Sequence, residues 1–179
     1  PAVFAVATDG DGDRLGALLP DGRPFNAHQI FAVLLEHLAR RGERGLVVKT
    51  FTVSRVVERL AAARGLPVLE TPVGFKYIVD AMLAGGVLIG GEESGGIGVA
   101  RHLPERDGVS NALLLLEAQL AAGEGIGATF ARLERELEWP HAYDRLDLKL
   151  QGNSLKERVM SALETPPDRF GGRRLESLE

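Results

Sequence analysis

The feature that most limits what this chain can fold into is an alternation of short apolar runs with amphipathic segments, sustained from residue 26 to residue 138. "GLVVKT" (45–50), "PVLET" (67–71) and "VLIGG" (87–91) are compact runs bounded by glycine or proline, as buried strands are. The segments between them have helical periodicity. Asn26 is placed to cap a helix through about Arg41, in which Ile30, Leu34 and Leu38 recur every fourth residue. Ser54 can cap "RVVERLAAAR", which Gly65 and Pro67 terminate. "FKYIVDAML" ends at Gly85-Gly86 and "GVSNALLLLEAQLAA" at Gly123. A last helix, about 127 to 138, puts Phe130, Leu133 and Leu137 on one side before Pro140. Strands alternating with helices require right-handed crossovers, hence a mainly parallel sheet covered on both faces. The expected fold is α/β, in three layers.

The flanks read differently. "VFAVA" (3–7) and "LGALL" (15–19) predict two strands around an acidic loop, followed by a "PDG" turn. Beyond Trp139-Pro140, "YDRLDLKL" alternates like an exposed-edge strand and "SLKERVMSALE" reads as one amphipathic helix. One strand and one helix are too few to bury a core alone. The last section, from 139, is therefore not expected to stand as a domain of its own.

Composition narrows the function classes. Apolar content of 45% and charged content of 26% are globular values. A net charge of −4 with no basic stripe argues against a nucleic-acid partner. The absence of cysteine excludes disulfides, thiolate metal sites and cysteine nucleophiles. No apolar run approaches the ~18 residues of a membrane span, so a soluble, cytoplasmic protein is expected.

The acidic loop "DGDGDR" holds Asp9, Asp11 and Asp13, with Arg14 next to them. A solvated turn is the ordinary reading of Asp and Gly. In an extended segment, however, alternate residues point the same way, and the three carboxylates would converge. Carboxylates so close raise one another's pKa unless a cation compensates, and hard oxygen ligands suit Mg²⁺ or Ca²⁺. An EF-hand is excluded: counting from Asp9, Arg14 stands where glycine is required and Pro20 where glutamate is. A haloacid dehalogenase-type phosphatase with Asp9 as nucleophile is an alternative, although Asp13 stands where that family expects threonine.

A second motif, "GGEESGG" (90–96), follows the strand "VLI". It could be a plain polar turn. It is not a nucleophile elbow, because Glu92 occupies the position that glycine would need. A carboxylate and a hydroxyl two residues apart suit neighbouring sugar hydroxyls, since both can accept and Ser94 can also donate.

Taken in order, these stretches resemble the α-D-phosphohexomutases, the phosphoglucomutase and phosphomannomutase group. "DGDGDR" resembles their metal loop, and "GEESG" their Gly-Glu-x-Ser-Gly sugar loop. "TPVGFKYI" (71–78) resembles the segment one helix before the sugar loop, and "RHLPERDG" (101–108) the basic loop after it. The resemblance implies Asp9, Asp11 and Asp13 as Mg²⁺ ligands, and Glu92, Ser94, Gly74 and Lys49 as substrate-binding residues. Arg14 and Arg106 would act at the transferring phosphoryl group. Arg106 stands where relatives often carry lysine, and a guanidinium stabilises charge but does not readily shuttle protons. The resemblance also implies the end of domain 2 at 1–23, domain 3 at 24–138 and part of domain 4 at 139–179. The phosphoserine motif of domain 1 and the phosphate-clamping loop of domain 4 do not occur in this sequence. Such enzymes pass a phosphoryl group between phosphoserine and a hexose phosphate through a bisphosphate, here expected to be glucose 1,6-bisphosphate. "GEES" is typical of phosphoglucomutases, and Gly96 replaces a histidine more usual in phosphomannomutases and phosphoglucosamine mutases, so glucose phosphate is the expected substrate. A non-catalytic metal- or sugar-binding module is the reading from a different class.

Overall fold

The computed structural model describes residues 3–143, 153–164, 168–170 and 172–174. The chain forms two compact units, Pro1–His141 and Ala142–Glu179.

The first unit opens with a small antiparallel sheet of β1 (Ala5–Thr8), β2 (Leu15–Leu18) and β3 (Pro24–Phe25). Next come α1 (Ala27–Arg40), β4 (Leu46–Thr50), α2 (Arg55–Ala63), β5 (Val68–Thr71), α3 (Phe75–Ala84), β6 (Val87–Gly91), β7 (Ile97–Val99), α4 (Gly108–Ala122) and α5 (Ile126–Glu136). The caps at Asn26 and Ser54 and the stop at Gly123 are those the sequence marks. Asn26 accepts from the Gln29 N–H while the Gln29 side chain accepts from the Asn26 N–H, a reciprocal capping box. Ser54 caps α2, Asp107 caps α4, and Gly123 ends α4 in the left-handed conformation.

The main sheet has the order β5-β4-β6-β7. β4 is parallel to both β5 and β6, and β7 is antiparallel to β6. The chain steps from β4 one way to β5, then back across β4 to β6. Right-handed crossovers in opposite directions put α2 and α3 on opposite faces. The core follows this division. Val47 packs with Leu34, Val57, Leu60 and Leu115 on one face, and its neighbour Val48 with Phe75, Ile78 and Met82 on the other. The two glycines ending β6 permit this close layering. A Cβ on Gly90 would lie 2.4 Å from Ile78 of α3, and one on Gly91 2.9 Å from Phe31 of α1.

Beside the two-residue β3, two further features of this unit were not marked in the sequence. β7 is only "IGV", and it turns the glycine-rich loop after β6 into a hairpin. The β1–β2 hairpin packs within the same unit as the domain that follows. Leu15, Ala17 and Phe25 share one core with Ile30, Leu115 and Phe130.

The second unit contains α6 (Asn153–Glu164), as expected, and a short hairpin of β8 (Arg169–Phe170) and β9 (Arg173–Arg174). The strand expected from "YDRLDLKL" lies at 143–150, all but its first residue outside the described residues. Among the described residues no helix is long and apolar enough to cross a membrane.

Candidate active site

Parallel strands of an α/β sheet present their ligand-binding loops at their carboxyl ends. Here those ends carry residues 51–52 after β4, 72–74 after β5 and 92–96 after β6. The β6–β7 turn closes on itself, with the Glu92 N–H donating to Gly96 O (2.9 Å) and the Gly95 N–H to Glu92 O (3.2 Å).

The acidic loop is sewn to this turn through main-chain bonds. Leu15 N–H donates to Gly95 O (3.1 Å), and Arg14 forms a bridge with Gly96. On its other side the loop accepts a bond from the first residue of α4, Gly108 N–H to Gly12 O (2.9 Å). Three loops distant in sequence thus share one backbone network.

Arg106, just before α4, joins their side chains. Its Nη2 lies 2.8 Å from Asp13 Oδ2 and its Nη1 3.7 Å from Glu92 Oε2, while the guanidinium sits 5.1 Å from the Phe75 ring centroid. The other oxygen of Glu92 accepts the Gly74 N–H at 3.0 Å. Glu92 is buried, and burial pushes its carboxyl above the ordinary value, helped by neighbouring Glu93. The Gly74 N–H and Arg106 pull against that rise. The result is a fixed acceptor with one face toward a cation. Ser94 is half-buried in the same turn.

The acidic loop is not extended. Gly12 takes φ +77° and its N–H closes a turn onto Asp9 O, so Asp9 and Asp13 come close enough to interact while Asp11 stands exposed. Desolvation raises the Asp9 carboxyl, but the Arg14 N–H, Asp13 and the Arg14 charge outweigh it and hold it below the usual range. Among the described residues no group of three acidic or histidine side chains is gathered to hold a metal. The donor chemistry nevertheless fits a hard cation: every candidate ligand is a carboxylate oxygen, and Asp13 Oδ1 is buried with no hydrogen-bond partner among the described residues.

Lys49 is not brought to this group. It is 1% exposed, and its Nζ lies 2.5 Å from Glu70, 2.7 Å from Glu58 and 3.2 Å from Val53 O, which uses its three donors. In its place, Glu93 reaches across to accept from Thr52, which bonds to Thr50 at the end of β4. Thr52 has no sequence signal beyond lying just past a strand end.

Residues 26–136 match the family model described as phosphoglucomutase/phosphomannomutase, alpha/beta/alpha domain III. The chain belongs to the phosphoglucomutase/phosphomannomutase family. A phosphoglucosamine mutase of Rubrobacter xylanophilus is 37% identical over 127 residues, covering 68% of this chain and 28% of that protein. A crystal structure from Thermus thermophilus, assigned as a phosphomannomutase, superposes with a TM-score of 0.79 at 50% identity. It covers 83% of this chain and 34% of that one. The fold also matches, at 18% identity and a TM-score of 0.56, an N-acetylphosphoglucosamine mutase of Aspergillus fumigatus crystallised with GlcNAc-6P and magnesium. That match covers 73% of this chain and 35% of the other. The chain thus spans about a third of the length of its relatives. Membership of the phosphohexomutase family does not favour the phosphatase alternative.

Proposed function

We propose that this chain is the sugar-binding part of a phosphohexomutase that interconverts glucose 1-phosphate and glucose 6-phosphate, completed by chain outside these residues. The observation that carries the reading is the Arg106 guanidinium, set between Asp13 of the acidic loop and Glu92 of the β6–β7 turn. Charge stabilisation for a moving phosphoryl group and recognition of a sugar hydroxyl are thereby joined in one side chain.

Phosphoryl transfer depends mainly on positioning and on neutralising charge at the equatorial oxygens. Arg106 offers a planar fork to those oxygens. Glu92, held by Gly74, accepts from a sugar hydroxyl, and Ser94 bonds the adjacent one. Arg14, whose Nε lies 3.5 Å from Asp9, offers a second fork at the acidic loop. Asp9, Asp11 and Asp13 would hold Mg²⁺, which acts as a Lewis acid toward the phosphoserine oxygens when bound. The phosphoserine and the phosphate-clamping loop belong to the missing domains, and glucose 1,6-bisphosphate is the intermediate that must reorient between them.

Glucose is supported by the "GEES" turn and by Gly96. A Cβ at residue 96 would lie 2.4 Å from Arg106 Cδ, so a histidine there requires Arg106 to stand elsewhere. The name of the Rubrobacter relative favours a second reading, glucosamine phosphate.

The test assays glucose 1-phosphate and glucosamine 1-phosphate, with the matching bisphosphates and Mg²⁺, on this chain alone and on the polypeptide completed with the remaining domains. The chain alone is expected to be inactive, and the completed protein to prefer glucose phosphate. Turnover by the chain alone sinks the reading of missing domains, and a preference for the amino sugar replaces the glucose reading.

A further inference from the structure

Apart from the loops at the strand ends, α1, α4 and α5 enclose a cavity of about 270 Å³. Its floor is small and apolar, formed by Val33, Ala118 and Ala122. Three polar side chains in its lining are nearly fully buried, Glu36 at 2% exposed, His37 at 6% and Thr129 at 4%. Neither His37 Nε2 nor Thr129 Oγ1 has a hydrogen-bond partner among the described residues, although Glu117 approaches His37 Nε2 to 3.3 Å. A buried hydroxyl without a partner is disfavoured unless something else bonds it.

The lining is also cationic. Arg40 and Arg132 both line the cavity, and among the described residues each guanidinium makes a single side-chain hydrogen bond, Arg40 to Glu36 (2.7 Å) and Arg132 to Glu124 (3.0 Å). A guanidinium has five N–H donors, so both forks keep donors in reserve. The buried carboxylate among them, Glu36, is shared by three cations. Its Oε1 lies 2.7 Å from Arg40 and 3.6 Å from Arg132, and its Oε2 2.7 Å from Arg64 outside the lining. Arg64 also donates to Glu136 (2.6 Å), so that within the lining itself Glu36 is the buried carboxylate beside Arg40 and Arg132. The remaining partners of Arg132, Glu124 and Glu136, are 34% and 40% exposed and can turn to water.

We propose that this cavity binds a small phosphomonoester, with the phosphate at the Arg40 and Arg132 forks, a phosphate oxygen accepting from Thr129, and a short carbon body on Val33, Ala118 and Ala122. The volume sits just below the ~300 Å³ at which small-molecule sites commonly begin, which limits the occupant to a few carbons beyond the phosphate. Planar forks with a neutral hydroxyl donor beside them are the donor set that phosphate takes. His37 Nε2 bonds a hydroxyl of the body, as donor or acceptor according to tautomer.

None of the lining residues belongs to the sugar or acidic loops, so the site is tested independently of them. The 179-residue chain, labelled with ¹⁵N, is titrated with glycerol 3-phosphate and separately with inorganic phosphate. Expected are saturable amide shifts at His37, Ala118, Ala122, Thr129 and Arg132, present also in an Arg106→Ala variant. Affinity should fall about tenfold or more in Arg132→Gln. Thr129→Val, which keeps side-chain volume, should weaken binding with an unchanged amide spectrum elsewhere. Tighter binding of glycerol 3-phosphate than of phosphate supports the apolar floor. Equal affinity for the two, shifts confined to residues 9–14 and 92–96, or binding untouched by both Arg132→Gln and Thr129→Val overturns the proposal.

Discussion

The guanidinium of Arg106 lies 2.8 Å from Asp13 and 3.7 Å from Glu92, and so ties a loop before the domain to a turn within it. Its geometry depends on a planar fork rather than on charge alone. In the completed enzyme, Arg106→Lys keeps the charge and loses the two-sided reach. The expected result is a fall in kcat/KM of roughly ten- to a hundredfold, carried mostly by kcat. Steady-state kinetics on glucose 1-phosphate check this, and a change confined to KM points to uniform substrate binding instead.

The adjacent glycines of the turn should behave differently. At Gly96 a Cβ meets Arg106 Cδ at 2.4 Å, part of a flexible side chain that can move away. Gly96→Ala should fold nearly as well as the parent and lose activity, because Arg106 is displaced from Asp13. At Gly95, φ is +93° and a Cβ would lie 2.7 Å from the main-chain oxygen of Leu15. Gly95→Ala should therefore lose about 1–3 kcal/mol of stability. Urea unfolding of both variants, beside activity of the completed enzyme, separates the two effects.

The sequence carried these loops unequally. Helix limits were legible because caps are chemical: Asn26 and Ser54 cap as their side chains allow, and Gly123 ends α4. The parallel strands were legible as apolar runs. β7 was not, since so short a strand holds no period, and 92–96 therefore read as a polar turn or sugar loop with no strand after it. Extended alternation in the acidic loop was the wrong geometry, because Gly12 at φ +77° bends it. Arg106 could be named from its resemblance to a basic loop. Its pairing could not, because Asp13 and Glu92 belong to two other loops and only the fold decides which carboxylates it meets.

Lys49 illustrates the same limit from the other side. It lies next to the carboxyl end of β4, where ligands commonly bind, yet it is buried between Glu58 and Glu70. Lys49→Met removes a cation and leaves two carboxylates that are 33% and 42% exposed and can be hydrated. The expected result is a stability loss of about 1–3 kcal/mol with KM for the hexose phosphate unchanged. A raised KM at unaltered stability would show instead that Lys49 leaves its partners to meet substrate.

Asp11 is exposed in the turn between Asp9 and Asp13. Asp11→Asn should leave thermal unfolding of the chain unaltered. In the completed enzyme it should raise the Mg²⁺ concentration needed for half-maximal activity and lower turnover at limiting Mg²⁺, since one hard anionic donor is lost. Magnesium titration of activity reads this out, and parent-like behaviour at limiting Mg²⁺ removes Asp11 from the metal ligands.

His28 makes the unit acid-sensitive in a defined window. It is 2% exposed, its Nδ1 accepts the Ser54 N–H at 3.2 Å, and its ring stands 5.5 Å from His141. Burial, with His141 and Lys49 adding to it and Glu93 opposing, pushes its pKa from 6.5 to about 4. Below pH 6.5 the unfolded chain takes up a proton that folded His28 refuses. Its contribution is thus complete above that pH and declines as pH falls toward 4, by roughly 3 kcal/mol in all. His141, also lowered by burial, acts with the same sign. Glu36, held down by Arg64 and Arg40 against its burial, loses its contribution only further into acid, below its ordinary 4.5. Glu92, raised by burial, works the other way and softens the decline. The interval between pH 6.5 and 4.5 therefore reports chiefly on the histidines. Urea unfolding of the chain at closely spaced pH values should show stability falling across that interval, and His28→Asn, compared by slope rather than by absolute value, should flatten it. An unchanged slope in the variant would mean that His28 takes up its proton in the folded protein.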